Sequence, residues 1–123
     1  MPKALSSRDL VLAAWRARTV VPGFNIPHLP MMEPVVKALR DTRSFGFIMV
    51  ARLEWEKFQS GSMAAIRKEY VRVGDPGHTR LHLDHVPVID EDQKVVDFEG
   101  TIREAIALGY ESVMVDGSRL PLE

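Results

Sequence analysis

Asp84 and His85 stand side by side in the stretch LHLDHVPVID, residues 81–90, with His82 just upstream. Their neighbours Leu81, Leu83, Val86 and Val88 are those of a buried strand. Buried charge is costly unless it is paired or holds a metal. A neutral imidazole is a common nitrogen ligand for zinc, and an adjacent carboxylate can carry a proton. One histidine is not a metal site, because zinc takes three or four protein ligands. The chain has no cysteine, so a metal site here must be built from His, Asp and Glu.

Other polar residues follow apolar runs in the same way. Asn25 and His28 come after VVPGF, Arg52 and Glu54 after FGFIMVA, and Asp116, Gly117 and Ser118 after SVMV. Side chains alternate along a strand, so His82 and Asp84 share a face and His85 points away. At a strand end that rule relaxes, and Pro87 marks such an end. Asp84 and His85 can then reach one cavity.

Simpler roles exist for several of these residues. His82 reads as a half-buried histidine with a hydrogen-bond partner. His28 is open between loop residue and site residue, and His78 lies in a Gly/Pro loop and reads as solvated. Asn25 could bond local backbone in a turn. Asp116-Gly117 alone is a turn signal. Glu54 and Glu56 read as a solvated helix start, Arg80 as the partner of a surface carboxylate, and Met31–Met32 as core.

The elements that must position these groups alternate along the chain. Ser6 or Ser7 can cap a helix running to about Arg18, with Leu10, Val11, Ala14 and Trp15 on one face. TVVPGFNI is a strand interrupted by Pro22 and Gly23. A helix from about Met32 to Asp41 carries Met32, Val35, Val36 and Leu39 on its apolar stripe. FGFIMVA suits a buried parallel strand. A helix over about 62–73 and the strand RLHLDHVPV follow. IDEDQKVV reads as an exposed loop. Asp97 caps a helix bearing Phe98, Ile102, Ala105 and Ile106, Gly109 ends it in the left-handed conformation, and ESVMVDGS is the fourth strand. This order predicts an α/β fold with right-handed crossovers and a parallel sheet of about four strands. Two architectures fit: an open doubly wound sheet, or part of a (β/α)₈ barrel. In both, functional residues gather at the C-terminal ends of the strands, where the candidates lie.

The chain has 123 residues and a formal net charge of −1, with 46% hydrophobic and 27% charged residues. That suits one domain, residues 1–123. The charge balance leaves no electrostatic footprint for nucleic acid. No apolar run is long enough for a membrane span, and the N-terminus lacks the apolar core of a signal peptide. A cytoplasmic location is the expectation.

Three stretches together carry a family resemblance. PGFNI looks like a first-strand AFN motif, LHLDHV like HLDHG, and AIALGYESVMVDGSRLPLE like AI..GF.SVMIDGSHLPFEEN. Over Val20–Glu123 the chain resembles the N-terminal half of the class II, metal-dependent ketose-bisphosphate aldolases, the family of fructose- and tagatose-bisphosphate aldolases. The resemblance implies half of a TIM barrel. It implies that His85 is the first of three histidine ligands to a catalytic zinc. Asp84 matches the acid/base acting on the C4 hydroxyl, and Asp116 an acidic residue near the metal. Ser118 lies in the same block, Asn25 matches a residue near substrate, and His82 a histidine that is not a ligand. The implied reaction is reversible aldol cleavage of a ketose bisphosphate to dihydroxyacetone phosphate and an aldehyde, with zinc as Lewis acid.

The chain also departs from that pattern. Val86 replaces a usual Gly, the segment from Val86 to Val96 is longer, and VARLEW stands where many members place a Ser. The sequence stops at Glu123 inside the matched block. The family's remaining zinc histidines, its Glu base and its phosphate loop lie beyond that point. The expectation is a chain that is inactive alone and holds zinc weakly. Open strand edges invite pairing, so it is expected to form a homo-oligomer or to join the missing C-terminal half. The competing expectations are a non-catalytic homo-oligomeric half barrel for binding or assembly, and a site completed by two copies.

Overall fold

The computed structural model describes residues 4–123. Four strands form one sheet in the order β1-β2-β3-β4, and each pairs with its neighbour in parallel. They are β1 (Gly23–Asn25), β2 (Gly46–Ala51), β3 (Thr79–Pro87) and β4 (Ser112–Asp116). The helices are α1 (Ser7–Arg16), α2 (Met32–Asp41), α3 (Arg52–Glu56), α4 (Met63–Val73) and α5 (Phe98–Leu108). Four consecutive parallel strands with helical connections are an α/β arrangement consistent with half of a TIM barrel, rather than a sheet whose order reverses.

Local chemistry starts and stops the helices where the sheet needs them. Ser6 accepts the Asp9 N–H at 3.1 Å, Ser62 that of Ala65 at 3.1 Å, and Asp97 that of Gly100 at 3.0 Å. Each pairs one of the N–H groups that a helix start leaves without a partner. Gly109 ends α5 with φ of 90°, a conformation that costs any side chain bearing a Cβ.

One face of the sheet is covered. Ile48, Val50, Leu81 and Leu83 are buried there with Met32, Val36 and Leu39 of α2 and Ile66 and Tyr70 of α4. Two tyrosines pair their hydroxyls within this core. Tyr70 lies 3.1 Å from the Thr79 hydroxyl, and Tyr110 donates to the Met63 carbonyl at 3.0 Å. The other face, which would line a barrel interior, carries Phe47, Met49, His82 and Ser112 and is only half covered. Beside it, under α1, is an apolar hollow of about 680 Å³ lined by Val11, Leu12, Phe47, Met49 and His82, among others.

Several sequence expectations change. The first strand is limited to Gly23–Asn25, because Pro22 has no N–H to extend the ladder. The apolar face expected on α1 is sparsely covered: Trp15 is 79% exposed and Val11 48%. The loop after β3 is exposed over 92–95, as expected, but it is closed at its base. Ile89 and Val95 form an antiparallel bridge, and Asp90 is buried while accepting the N–H groups of Asp92 and Lys94 at 2.9 Å each. Arg80 does not simply meet a surface carboxylate. It is buried and donates to the carbonyls of Leu5 (2.8 Å), Thr79 (2.6 Å) and Pro76, with Glu111 at 3.5 Å. It thereby ties the segment leading into α1 to the start of β3.

Candidate active site at the strand ends

The parallel sheet brings Asn25, Glu54, Asp84, His85 and Asp116 to one edge, where the strands end. The register sets Asn25 opposite Met49, Ala51 opposite Asp84, and Pro87 opposite Asp116. Strict alternation would turn His85 to the helix-covered face. A β-bulge prevents this, because three steps along β3, Leu83 to Val86, match two along β4, Val113 to Val115. The extra residue is absorbed at His85, whose φ is 42°. This left-handed conformation is uncommon for a residue with a side chain, and bulges next to sites re-aim side chains. Val86 is fully buried beyond the bulge. Asp84 and His85 therefore both face the mouth.

At the mouth, His85 Nδ1 lies 2.8 Å from Asp116 Oδ2, and Nε2 lies 3.9 Å from Asp84 Oδ2. The Ser118 N–H donates to Asp116 Oδ1 at 2.8 Å. Hydrogen bonding from the Ser118 hydroxyl and N–H, and then His85, holds the Asp116 carboxyl well below the usual carboxylate range. Asp116 is therefore an anion that orients the imidazole. Asp84 is buried and takes the Asn25 side-chain N–H at 3.2 Å. A cavity of about 350 Å³ opens beside this group, lined by Ala51, Arg52, His85, Pro87, Asp116 and Ser118, among others.

His82 is occupied differently. Its Nδ1 lies 2.7 Å from the Ser112 hydroxyl, and its ring packs 5.8 Å from that of Phe47. Burial lowers its pKa, against the opposing pull of Asp84, whose Oδ1 is 3.9 Å from Nε2. The other histidines have other partners. His28 bridges to Gln59, and His78 Nδ1 sits 2.8 Å from the Ser44 carbonyl.

Among the strand-end candidates, Glu54 is the one that the sequence led us to set aside as a solvated helix start. It is buried rather than solvated, and its Oε2 accepts the Ala51 N–H at 2.7 Å and the Asn25 side-chain N–H at 3.4 Å. The legible signal was a glutamate three residues after a strand-to-helix junction, the reach-back half of a capping box.

The donor set fits one ligand of a metal centre. A carboxylate on Nδ1 fixes the ring so that Nε2 is the ligating nitrogen, the usual outer-shell arrangement of a ligand histidine. Among the described residues, no group of three or more His, Cys, Asp or Glu side chains could hold a metal ion. No helix among them is long and apolar enough to cross a membrane.

A family model described as fructose-bisphosphate aldolase class-II matches residues 5–123. The chain is also similar to the D-tagatose-1,6-bisphosphate aldolase subunit GatY of Klebsiella oxytoca, with 29% identity over 119 residues. That match covers 97% of this chain and 38% of the relative's length. The motif-bearing strands, their order in the sheet and a match over nearly the whole chain agree: the chain belongs to the class-II fructose-bisphosphate aldolase family.

Proposed function

We propose that this chain supplies the first four strands of an aldolase-type barrel and one corner of its active site. The reaction is reversible cleavage of a ketose bisphosphate to dihydroxyacetone phosphate and an aldehyde. The observation carrying this reading is the β3 bulge, which turns Asp84 and His85 to one mouth with Asp116 behind the imidazole. In this reading Asp84 receives the proton of the C4 hydroxyl during cleavage and returns it during condensation. Its burial and its bond to Asn25 hold the carboxyl in place for that transfer. His85 offers Nε2 to zinc, and Asp116 fixes the tautomer and the ring plane. Asn25 faces substrate, and Ser118 braces Asp116. Zinc, when bound, supplies Lewis-acid polarisation of the ketone. His85 alone cannot hold it tightly, so the remaining ligands must come from outside these residues, and the chain by itself is inactive. The ketose bisphosphate and the domain's role as a half barrel are parts of the same proposal.

The test is complementation. The chain is co-expressed with the part of the Klebsiella relative outside the matched segment, and cleavage of D-tagatose 1,6-bisphosphate and fructose 1,6-bisphosphate is followed with added zinc. The proposal expects activity only in the combination. It also expects Asp84→Asn to lower kcat by about 10²- to 10⁴-fold, the usual size of an acid–base contribution. Full activity of Asp84→Asn would remove Asp84 from the mechanism. A stable homo-oligomer that neither binds zinc nor cleaves either sugar would favour the non-catalytic alternative.

A further inference from the structure

We propose that Glu54 is a positioning residue: together with Asp84 it clamps the Asn25 amide so that the amide oxygen faces the mouth as an acceptor for a substrate hydroxyl. This rests on the reading above that the mouth receives a polyhydroxylated substrate. Asn25 Nδ2 lies 3.4 Å from Glu54 Oε2 and 3.2 Å from Asp84 Oδ2. An amide nitrogen offers two N–H donors, and an amide oxygen only accepts. With two carboxylates at one end of the group, only the nitrogen can sit there. The reversed orientation would set the oxygen against both anions. The chemistry of the neighbours therefore decides which way the amide points.

Glu54 is itself held for this task. It is buried, and the Ala51 N–H fixes the same Oε2 at 2.7 Å. The carboxylate thus joins the end of β2 to the end of β1. On the opposite branch of the planar amide, Asn25 Oδ1 has no hydrogen-bond donor among the described residues, and Asn25 is exposed at the mouth. A neutral acceptor in that place favours a hydroxyl and disfavours a ketone or ether oxygen, which cannot donate to it.

Asn25 is the only asparagine in the chain, so selective ¹⁵N-asparagine labelling yields one side-chain NH₂ pair. Both protons are expected downfield, each bonded to its own carboxylate. Glu54→Ala should return one of them upfield and speed its exchange about tenfold, the loss of one modest hydrogen bond. Asp84→Ala should move the other. Glu54→Gln keeps an acceptor oxygen without the charge and should move the first proton part of the way. It decides the matter if the alanine variant does not fold. A role limited to capping α3 would move the Ala51 backbone N–H and leave the pair in place, and an unmoved pair overturns the proposal. No metal or turnover enters this measurement, so its outcome is separate from that of the complementation test. In the active combination, Glu54→Ala should raise KM about tenfold while changing kcat less. An unchanged KM overturns the substrate part.

Discussion

Replacing His85 by glycine and, separately, by alanine divides the strain of the β3 bulge from the contacts of the side chain. The backbone at His85 has φ of 42°, and left-handed backbone costs a residue with a Cβ about 1–2 kcal/mol. The side chain is 55% exposed, so little apolar burial is at stake. Its bond to Asp116, 2.8 Å, contributes about 0.5–1 kcal/mol at such a wet position. Alanine loses that bond and keeps the strain, and should be less stable than the native chain by about 0.5–1 kcal/mol. Glycine loses the bond and relieves the strain, against its larger unfolded-state entropy, and should exceed alanine by about 1 kcal/mol. That difference corresponds to about 3–5 °C in Tm for a domain of this size. Urea unfolding followed by circular dichroism reads both variants. An ordinary strand interior gives the opposite order, because glycine weakens it. Alanine as stable as glycine, or more so, would refute the argument that a strained bulge aims this histidine.

The half-buried His82 has a pKa lowered by burial, so the unfolded chain binds its proton at higher pH than the folded chain does. Stability should fall as pH drops through about 6.5 and continue falling until the folded-state pKa is reached. His82→Gln should flatten that slope in urea midpoints measured between about pH 7 and pH 5. Arg80→Met should cost about 2–4 kcal/mol in denaturant unfolding. It strands the Leu5 and Pro76 carbonyls and the Glu111 carboxylate, although Glu111, at 37% exposed, recovers part of its solvation. Gly109→Ala should cost about 1–2 kcal/mol, because φ of 90° disfavours a Cβ and the Arg67 guanidinium lies 3.1 Å from where that Cβ would be.

The parallel sheet and the edge that carries the candidate residues were legible, because apolar runs separated by helical patterns yield parallel strands and the polar residues that follow each run fall at one edge. Asn25, Asp84 and Asp116 needed nothing more. The strand order was not legible, since that alternation fits an open doubly wound sheet as well as part of a barrel, and the family resemblance alone chose between them. His85 was harder. Period-two alternation turns it away, and only the extra residue taken up at the bulge, visible as a register shift against β4, turns it back. Glu54 was obscured because LEWEK has the charge pattern of a solvated helix. One of its hydrogen-bond partners, Asn25, lies 29 residues away along the chain. Arg80 was obscured for the same reason, since a main acceptor, the Leu5 carbonyl, lies 75 residues away. The turn after β3 looked exposed by composition and is exposed over 92–95, but composition did not disclose that the buried Asp90 folds it by accepting two N–H groups of the turn itself. Local pattern discloses which residues are polar. It does not disclose the distant partner that makes a polar residue buried.

Zinc titration calorimetry on the complemented barrel, native and His85→Ala, bears most directly on the role given to the Asp84–His85–Asp116 corner. One zinc should bind per completed barrel. The alanine variant should bind it at least about 100-fold more weakly, with aldol cleavage lost in parallel, since changing the groups that hydrogen-bond a ligand histidine alone already costs about 10- to 100-fold. Equal zinc affinity in the two would contradict the role given to His85.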